Sequence, residues 1–360
     1  MKIIFSDFTL LNGGAERVIS ILANSLCRLG HDIEILLYYD RPISYEIDSK
    51  VKIVIAERET RTKSKIKHIL YRRNHIKKSG ADVVVSFLAP MNMFNIISMA
   101  GLKIPLIVAD RNDPRKVPTN RIIRVLRNFL YRFADGIVLQ NSTNQKYFSK
   151  CVQKKSTVIF NPVDLGEYNG AALRCEDKKK EIVSVGRLIK QKNPQMLLNA
   201  FSKLADDFPE YKLAFIGDGD MREEIKRAAE QRGLGGRVEL NGVTNQVFER
   251  IHKSALFVMS SEYEGMPNAL IEAMCIGLPV ISTKVSGATD VIEHEVNGMV
   301  VDCGDERALE NAMRKMLLDK ELRENCGSNA SKLAEQLEVD AIVQQWLDFI
   351  YKCIKHPTRN

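Results

Sequence analysis

Glu264-Gly-Met-Pro-Asn-Ala-Leu-Ile-Glu272 follows an apolar run, Ala255 to Met259, and together the two segments set the reading of the whole chain. The run is short, uninterrupted and bounded by polar residues, as a strand buried in a parallel sheet is. Pro267 suits the first position of a helix, because its missing N–H would have no intrahelical partner there. The order strand, loop, helix therefore places Glu264 in the loop at the strand's carboxyl end and Glu272 between one and two turns into the helix. Free N–H groups at a helix start attract anions, phosphate above all. Ionised carboxylates only accept hydrogen bonds, and sugar hydroxyls donate them. A diphosphate on amides with hydroxyls on flanking carboxylates is the chemistry of a nucleotide sugar. A solvated loop carboxylate and a helix-surface carboxylate fit the same stretch, so the rest of the chain has to decide.

Outward from that stretch the same alternation recurs. Strand-like runs stand at Lys2 to Phe8, Asp32 to Tyr38, Val51 to Ile55, Asp82 to Leu88, Pro105 to Ala109, Gly136 to Gln140 and Ser156 to Phe160. After Asn161-Pro-Val-Asp164 and a polar run with Lys178-Lys-Lys180, the pattern restarts at Ile182 to Gly186, Lys212 to Gly217, Arg237 to Gly242, Ala255 to Met259, Pro279 to Thr283 and Gly298 to Asp302. Strands alternating with helical segments mean a doubly wound parallel sheet, here built twice. The expected architecture is α/β, with two Rossmann-like domains facing across a cleft. The expected boundaries are 1–170 and 171–338, with 339–360, a long helical pattern carrying Trp346, returning to the first domain.

Charge separates the two halves. The 360 residues carry a net +8, but residues 1–175 hold 28 basic against 15 acidic side chains, a balance of +13, and the remainder is −5. Two segments concentrate the excess. Arg61 to Lys78 carries Arg61, Lys63, Lys65, Lys67, Arg72, Arg73, Lys77 and Lys78 beside Ile66, Ile69, Leu70 and Ile76; Arg121 to Phe133 sets Arg121, Arg124 and Arg127 at steps of three beside Ile122, Leu126, Phe129 and Phe133. Such helices suit an anionic bilayer surface, and they equally suit a solvated face whose apolar side packs on the sheet. No nucleic-acid-binding motif accompanies the charge. The chain has no apolar run long enough to span a membrane and no signal-peptide pattern at Met1-Lys-Ile-Ile-Phe, so a cytoplasmic location is expected. Its seven scattered cysteines form no Cys-x-x-Cys pair and read as reduced thiols.

Several polar groups fall just after strands, where ligands bind in open α/β sheets. Leu10-Leu-Asn-Gly-Gly-Ala-Glu-Arg17 precedes a helix with Val18, Ile21, Leu22, Leu26 and Leu29 at helical spacing, and Gly13 and Gly14 permit close backbone approach at its start. A plain tight turn has the same signature. Gly186-Arg-Leu-Ile-Lys-Gln-Lys-Asn-Pro194 offers Arg187 and Lys192, a fork and a point charge suited to a diphosphate. Gly217-Asp-Gly-Asp220 gives a second glycine turn, and its two carboxylates are weak evidence for a metal. Gly242-Val243 and Lys284-Val-Ser-Gly287 are further strand-end loops.

Taken in order, Gly-Gly-Ala-Glu-Arg, Gly-Arg-x4-Lys-Asn-Pro, Gly-Asp-Gly and Glu-Gly-x-Pro-x4-Glu resemble the retaining glycosyltransferases of family 4, with the GT-B fold, over essentially the whole chain. The pattern, including Ser86-Phe-Leu88 and the basic first domain, is most similar to enzymes that build lipid-linked or capsular oligosaccharides on undecaprenyl diphosphate. The resemblance implies transfer of a hexose or N-acetylhexosamine from a nucleotide sugar, UDP-linked, to a lipid-linked or polysaccharide acceptor with retention. It makes Glu264, Arg187 and Lys192 the catalytic set, with Arg187 and Lys192 on the donor diphosphate. Glu272 takes the ribose hydroxyls; Gly265, Met266, Pro267 and Asn268 hold the sugar with Glu264; Gly186, Gly217, Gly219 and Val243 line the donor side. Gly13 and Gly14 face the phosphates and the acceptor. No metal or other cofactor is implied, the nucleotide sugar being a co-substrate. The partners implied are that donor, an undecaprenyl diphosphate type acceptor and, through the basic helices, the inner face of the cell membrane, with no nucleic acid.

One departure stands out. Many relatives carry a His after the strand that here ends at Ala109, where this chain reads Asp110-Arg-Asn-Asp-Pro114. That role is not carried over; Arg111 or Asp113 takes an acceptor-side place, or the segment is a turn primed by Asp113-Pro114. A nucleotide-sugar 2-epimerase of the same fold and a non-catalytic nucleotide-sugar-binding protein remain the alternatives.

Overall fold

The computed structural model describes residues 1–11, 13–62, 64–165, 178–244 and 246–358. The chain divides into two compact units, Met1–Pro162 with Glu338–Asn360, and Val163–Leu337. The 170/171 boundary expected from the sequence lies outside the described residues, as does Lys63.

The first unit is built on seven parallel strands: β1 (Lys2–Asp7), β2 (Asp32–Leu37), β3 (Lys52–Ile55), β4 (Val83–Phe87), β5 (Leu106–Asp110), β6 (Gly136–Leu139) and β7 (Ser156–Val158), in the order β3-β2-β1-β4-β5-β6-β7. The second has β8 (Lys179–Val185), β9 (Lys212–Ile216), β10 (Val238–Leu240), β11 (Ser254–Met259), β12 (Val280–Thr283) and β13 (Met299–Val301), in the order β10-β9-β8-β11-β12-β13. In each sheet the first strand runs outward to two neighbours on one side and the fourth returns to its other side. The winding reverses between β1 and β4 and between β8 and β11, the switch points outside which ligands bind. The strand runs read from the sequence all appear, because strands buried on both faces by crossover helices are near-continuous apolar runs. β1, β4 and β5 are almost wholly buried.

Helix faces are less faithful to the sequence pattern. The helix Gly14–Arg28 buries Val18, Ile19, Leu22 and Leu26, whereas Ile21 is half-buried and Leu29 stands 60% exposed just past the last turn. In Lys65–Ser79 the buried positions are His68, Arg72 and Ile76, one turn apart, so the apolar stripe through Ile66 and Leu70 is turned out. Arg72 reaches a buried polar group beneath the β1–β4 switch point, donating to Ser6 Oγ and, at 3.2 Å, to Asn95 Oδ1.

The terminal helix Val339–Lys355 packs in the first unit, where Trp346 is fully buried with its ring 5.8 Å from that of Phe87. Gly136 lets it come close, since a Cβ there would stand 2.6 Å from Cys353 Sγ. No helix among the described residues is long and apolar enough to cross a membrane.

Candidate functional site

Glu264 lies in the loop between β11 and the helix Asn268–Cys275 and is 7% exposed. Its Oε1 accepts from Lys192 Nζ at 2.6 Å and from Ser261 Oγ at 2.7 Å. Lys192 arrives from the neighbouring strand end. After β8 a single 3-10 turn, Lys190–Lys192, and Asn193 in the left-handed region (φ 45°) redirect the chain into the helix Pro194–Leu204. Asn193 also caps that helix, its Oδ1 accepting from Met196 N at 3.2 Å.

The two loops are laced together. Gln191 Nε2 donates to Tyr263 O at 2.9 Å, Glu262 N donates to Gln191 O at 2.8 Å, and Ser260 Oγ faces Lys192 O at 3.0 Å and Asn193 O at 2.9 Å. From the end of β12, Thr283 Oγ1 donates to Ser261 O at 2.6 Å. Three adjacent strand ends thus fix one nearly buried carboxylate and one ammonium at the β8–β11 switch point. Both partners that the carboxylate has among the described residues sit on Oε1, leaving Oε2 as the oxygen available to accept from a ligand hydroxyl.

The glycines act through packing. Gly186 (φ 152°) leaves the Lys192 stem room, a Cβ there meeting its Cε at 3.3 Å. Gly217 (φ 139°) and Gly219 lie so close to the β8 loop that a Cβ would stand 2.0 Å from Gly186 O or 2.3 Å from Leu188 O. Their lack of a side chain is used first by loop-on-loop contact. Beside this knot Arg187 is exposed and its guanidinium has no side-chain or carbonyl partner among the described residues. Val243, after Gly242, is 75% exposed.

The helix that follows Glu264 begins one residue later than expected. Pro267 (φ −82°, ψ 87°) precedes it, its carbonyl accepting from Leu270 N at 3.1 Å and Ile271 N at 3.2 Å, so Asn268 is the first helical residue. Proline has the φ of a helix but not, here, the ψ. Glu272 is buried at 6% exposure just over one turn in. Burial, and then the Glu272 charge, push the Cys275 thiol up to about 12. Gly265 and Met266 complete the turn between the two carboxylates, and Gly287 (φ 83°) meets it from the β12 loop, where a Cβ would stand 2.8 Å from Gly265 O.

In the first unit, Gly13 precedes the helix Gly14–Arg28 in extended backbone. Its N–H donates to Tyr45 Oη at 3.0 Å, and that hydroxyl donates back to Gly13 O at 2.8 Å. A Cβ at Gly13 would collide with the Glu16 carboxylate at 2.2 Å. Burial raises the Glu16 carboxyl above its ordinary range. Sequence reasoning missed Glu16 and Tyr45 as guards of this loop, although Glu16 stands three residues past Gly13, the reciprocal capping position. Gly14 is exposed at the helix start.

The Asp110–Pro114 segment divides its roles. Arg111 is buried at 7% exposure, donates from Nη1 to Asn161 Oδ1 at 2.8 Å, and lies 5.1 Å from the Phe87 ring and 5.4 Å from that of Trp346. Its Nε and Nη2 find no partner among the described residues, and burial lowers its pKa to about 9. Asp113 is bound into a turn, its Oδ1 accepting from Arg115 N at 2.8 Å. Among the described residues no group of three His, Cys, Asp or Glu side chains is placed to hold a metal ion.

Comparison with known proteins bears on both units. The family described as Glycosyltransferase Family 4 matches residues 12–167, and Glycosyl transferases group 1 matches residues 170–333. A Campylobacter jejuni protein named GalNAc-alpha-(1->4)-GalNAc-alpha-(1->3)-diNAcBac-PP-undecaprenol alpha-1,4-N-acetyl-D-galactosaminyltransferase is 31% identical over 358 residues, 97% of this chain and 98% of that one. A second from the same organism, N-acetylgalactosamine-N,N'-diacetylbacillosaminyl-diphospho-undecaprenol 4-alpha-N-acetylgalactosaminyltransferase, is 28% identical over 95% of this chain and 97% of its own. Among solved structures, Anabaena Alr3699/HepE in complex with UDP and glucose is similar with a TM-score of 0.82 at 20% identity, covering 98% of this chain and 99% of that one.

Proposed function

The chain belongs to the glycosyltransferases of group 1 and family 4, with the GT-B fold, and from that premise we propose that it moves a hexose or N-acetylhexosamine from a UDP-sugar to a lipid-linked saccharide, with retention, in surface-glycan synthesis. The observation that carries the reading is the Lys192–Glu264 pair at the β8–β11 switch point. Lys192 has three donors, so it can keep Glu264 and still meet a diphosphate oxygen. Arg187, exposed beside it, supplies the planar fork. Glu264 Oε2 accepts from the donor sugar, and Glu272 from the ribose. The UDP in the Anabaena structure and the undecaprenol-linked acceptors named for the two Campylobacter relatives support the choice of donor and acceptor.

In the reaction the bond between the anomeric carbon and the diphosphate oxygen breaks, its electron pair staying on the phosphate. The acceptor hydroxyl forms the new C–O bond on the same face, and its proton passes to the departing phosphate oxygen. Arg187, Lys192 and the start of the Asn268–Cys275 helix stabilise the charge that develops there.

The acceptor side meets an anionic bilayer through the first unit. The apolar face of the helix Arg121–Leu130 is turned to solvent, with Ile122 78%, Val125 63% and Phe129 51% exposed, and its buried residue is Arg127. A helix packed on a sheet has the opposite arrangement. Lys116, Arg121 and Arg132 are exposed around it, and Ile66 and Leu70 are exposed beside Lys65 and Lys67 on the other basic helix. Apolar side chains rimmed by basic ones match the acyl boundary and headgroups of an anionic leaflet.

A thermal-shift panel of nucleotide sugars tests the donor half. A ligand at a hundred times its dissociation constant adds about 2.7 kcal/mol of stability, which UDP-sugars should supply in wild type and not in Lys192→Ala. No shift with any nucleotide sugar contradicts the reading.

A further inference from the structure

Arg127 holds its helix in place by means that apolar burial does not provide. Among the described residues of Arg121–Leu130 it alone is buried, fully so. Its Nη2 donates to Pro114 O at 2.8 Å and its Nη1 to Val117 O at 2.7 Å, and Nη1 lies 3.6 Å from Asp110 Oδ2. Asn128 Oδ1 accepts from Nε at 3.1 Å and from Nη2 at 3.0 Å, and the Phe148 ring lies 5.2 Å from the guanidinium. One turn earlier Arg124 Nη1 reaches Pro118 O and Thr119 O, each at 2.8 Å. Two arginines of one helix thus hold four carbonyls of the segment that starts at Asp110.

The other end of that segment is held as firmly. Asp110 Oδ2 accepts from Tyr131 Oη at 3.1 Å, the same hydroxyl that Asn92 Nδ2 meets at 2.9 Å, and the Arg111 guanidinium lies against both Phe87 and Trp346, 5.1 and 5.4 Å from their rings. Asn144 Nδ2 donates to Asn112 O at 3.3 Å. Residues 110–119 are therefore a rigid brace between the carboxyl end of β5 and the exposed helix. A buried arginine is a costly way to anchor a helix, since a leucine would do so without desolvating a charge. What a leucine lacks is the planar fork that sets the loop's carbonyls at a fixed distance and angle.

We propose that Arg127 is a positioning residue for the acceptor: it locks the 110–119 loop to the lipid-facing helix so that the loop keeps its acceptor-binding shape. The inference rests on the acceptor-side and bilayer reading given above, and it deepens that reading by naming the part that joins the surface helix to the loop. An acceptor anchored in a bilayer has its headgroup at a set depth. A loop rigidly joined to the helix that meets the bilayer is held at a matching depth without ordering on binding.

The experiment uses the full chain, wild type and Arg127→Lys, with Asn128→Ala as a milder variant that removes one partner of the fork. Each is assayed for melting temperature, for cosedimentation with phosphatidylglycerol vesicles, for donor KM, and for the KM of a short-chain, water-soluble lipid diphosphate saccharide. The expected result is an acceptor KM raised about tenfold in Arg127→Lys and about threefold in Asn128→Ala, with donor KM and vesicle binding as in wild type. Acceptor KM within twofold of wild type in both, or donor KM rising in parallel with acceptor KM, overturns the proposal. An Ile122→Ser, Val125→Ser variant that still cosediments as wild type defeats the bilayer reading alone, because the short-chain acceptor reports on the loop without a membrane.

Discussion

Lys192 Nζ and Glu264 Oε1 lie 2.6 Å apart although 72 residues separate them in the chain, and Glu264 is all but removed from solvent. Removing the lysine leaves a buried carboxylate with Ser261 as its remaining hydrogen-bond partner among the described residues. Lys192→Ala should cost about 2 kcal/mol of stability, below the 3–5 typical of a broken buried pair because the lysine side chain is a quarter exposed. The double variant Lys192→Ala, Glu264→Gln should recover part of that loss, a coupling that denaturant unfolding of the single and double variants measures. Additive losses would contradict the pairing.

The glycine knot makes a sharper contrast. Gly217→Ala forces a Cβ to 2.0 Å from Gly186 O at a φ of 139°, so a loss of about 3 kcal/mol and weakened donor binding are expected. Gly236→Ala meets nothing within 4 Å and should lie within about 0.5 kcal/mol of wild type. Equal melting temperatures for the two variants would refute the packing account of these loops.

Glu181 predicts a pH dependence. Burial alone would raise its carboxyl, but the Arg250 fork at 2.8 and 2.7 Å and Ser254 Oγ at 2.7 Å bring it below the ordinary value of 4.5. A depressed carboxyl contributes stability that is complete above the unfolded value and is lost as pH falls through the folded one. Glu181→Gln should therefore be less stable than wild type at pH 7, and the gap should narrow once pH drops below about 4.5. Urea midpoints at pH 7, 5 and 3.5 measure it; a gap independent of pH would exclude the linkage.

Arg111 separates stability from function. Its Nε and Nη2 are buried without partners among the described residues, so Arg111→Met, of similar length, should be neutral or stabilising by about 1 kcal/mol in the melt. If the arginine serves the acceptor, the same variant should raise the acceptor KM by about tenfold. A stable variant with wild-type kinetics would remove Arg111 from the acceptor side.

Vesicle binding should respond to both halves of the surface face. Ile122→Ser with Val125→Ser should weaken binding to phosphatidylglycerol vesicles by about tenfold, and raised salt should weaken wild type as exposed charges are screened. Binding indifferent to lipid charge would contradict the basic rim.

What the sequence made legible follows from the range of the forces involved. Strand runs such as Val83–Phe87 and Leu106–Asp110 are buried on both faces, so each residue reports its burial directly. The donor-side loops were legible because glycines, Arg187, Lys192 and Glu264 recur at strand ends. Periodicity could show that Ile122, Leu126 and Phe129 share a face; it could not show that the face points away from the protein, which depends on Arg127 finding carbonyls ten and thirteen residues earlier. The Gly13 loop looked open to a ligand because neither Tyr45 nor the folded-back Glu16 has a local signal strong enough to place it there. Asp113-Pro114 reads as contact or turn, and hydrogen bonds from Arg115 N to Asp113 Oδ1 and from Lys116 N and Val117 N to Asp113 O tie it to the turn.

The most direct measurement is transfer of labelled sugar from a UDP-sugar to an undecaprenyl diphosphate saccharide, followed in the lipid phase for wild type and Glu264→Gln. Acceptor-dependent label in the lipid phase is expected for wild type, and a fall of about a hundredfold in kcat with donor KM little changed for the variant. Full activity in Glu264→Gln, or loss of UDP-sugar without acceptor and without lipid label in wild type, would contradict the proposed transfer.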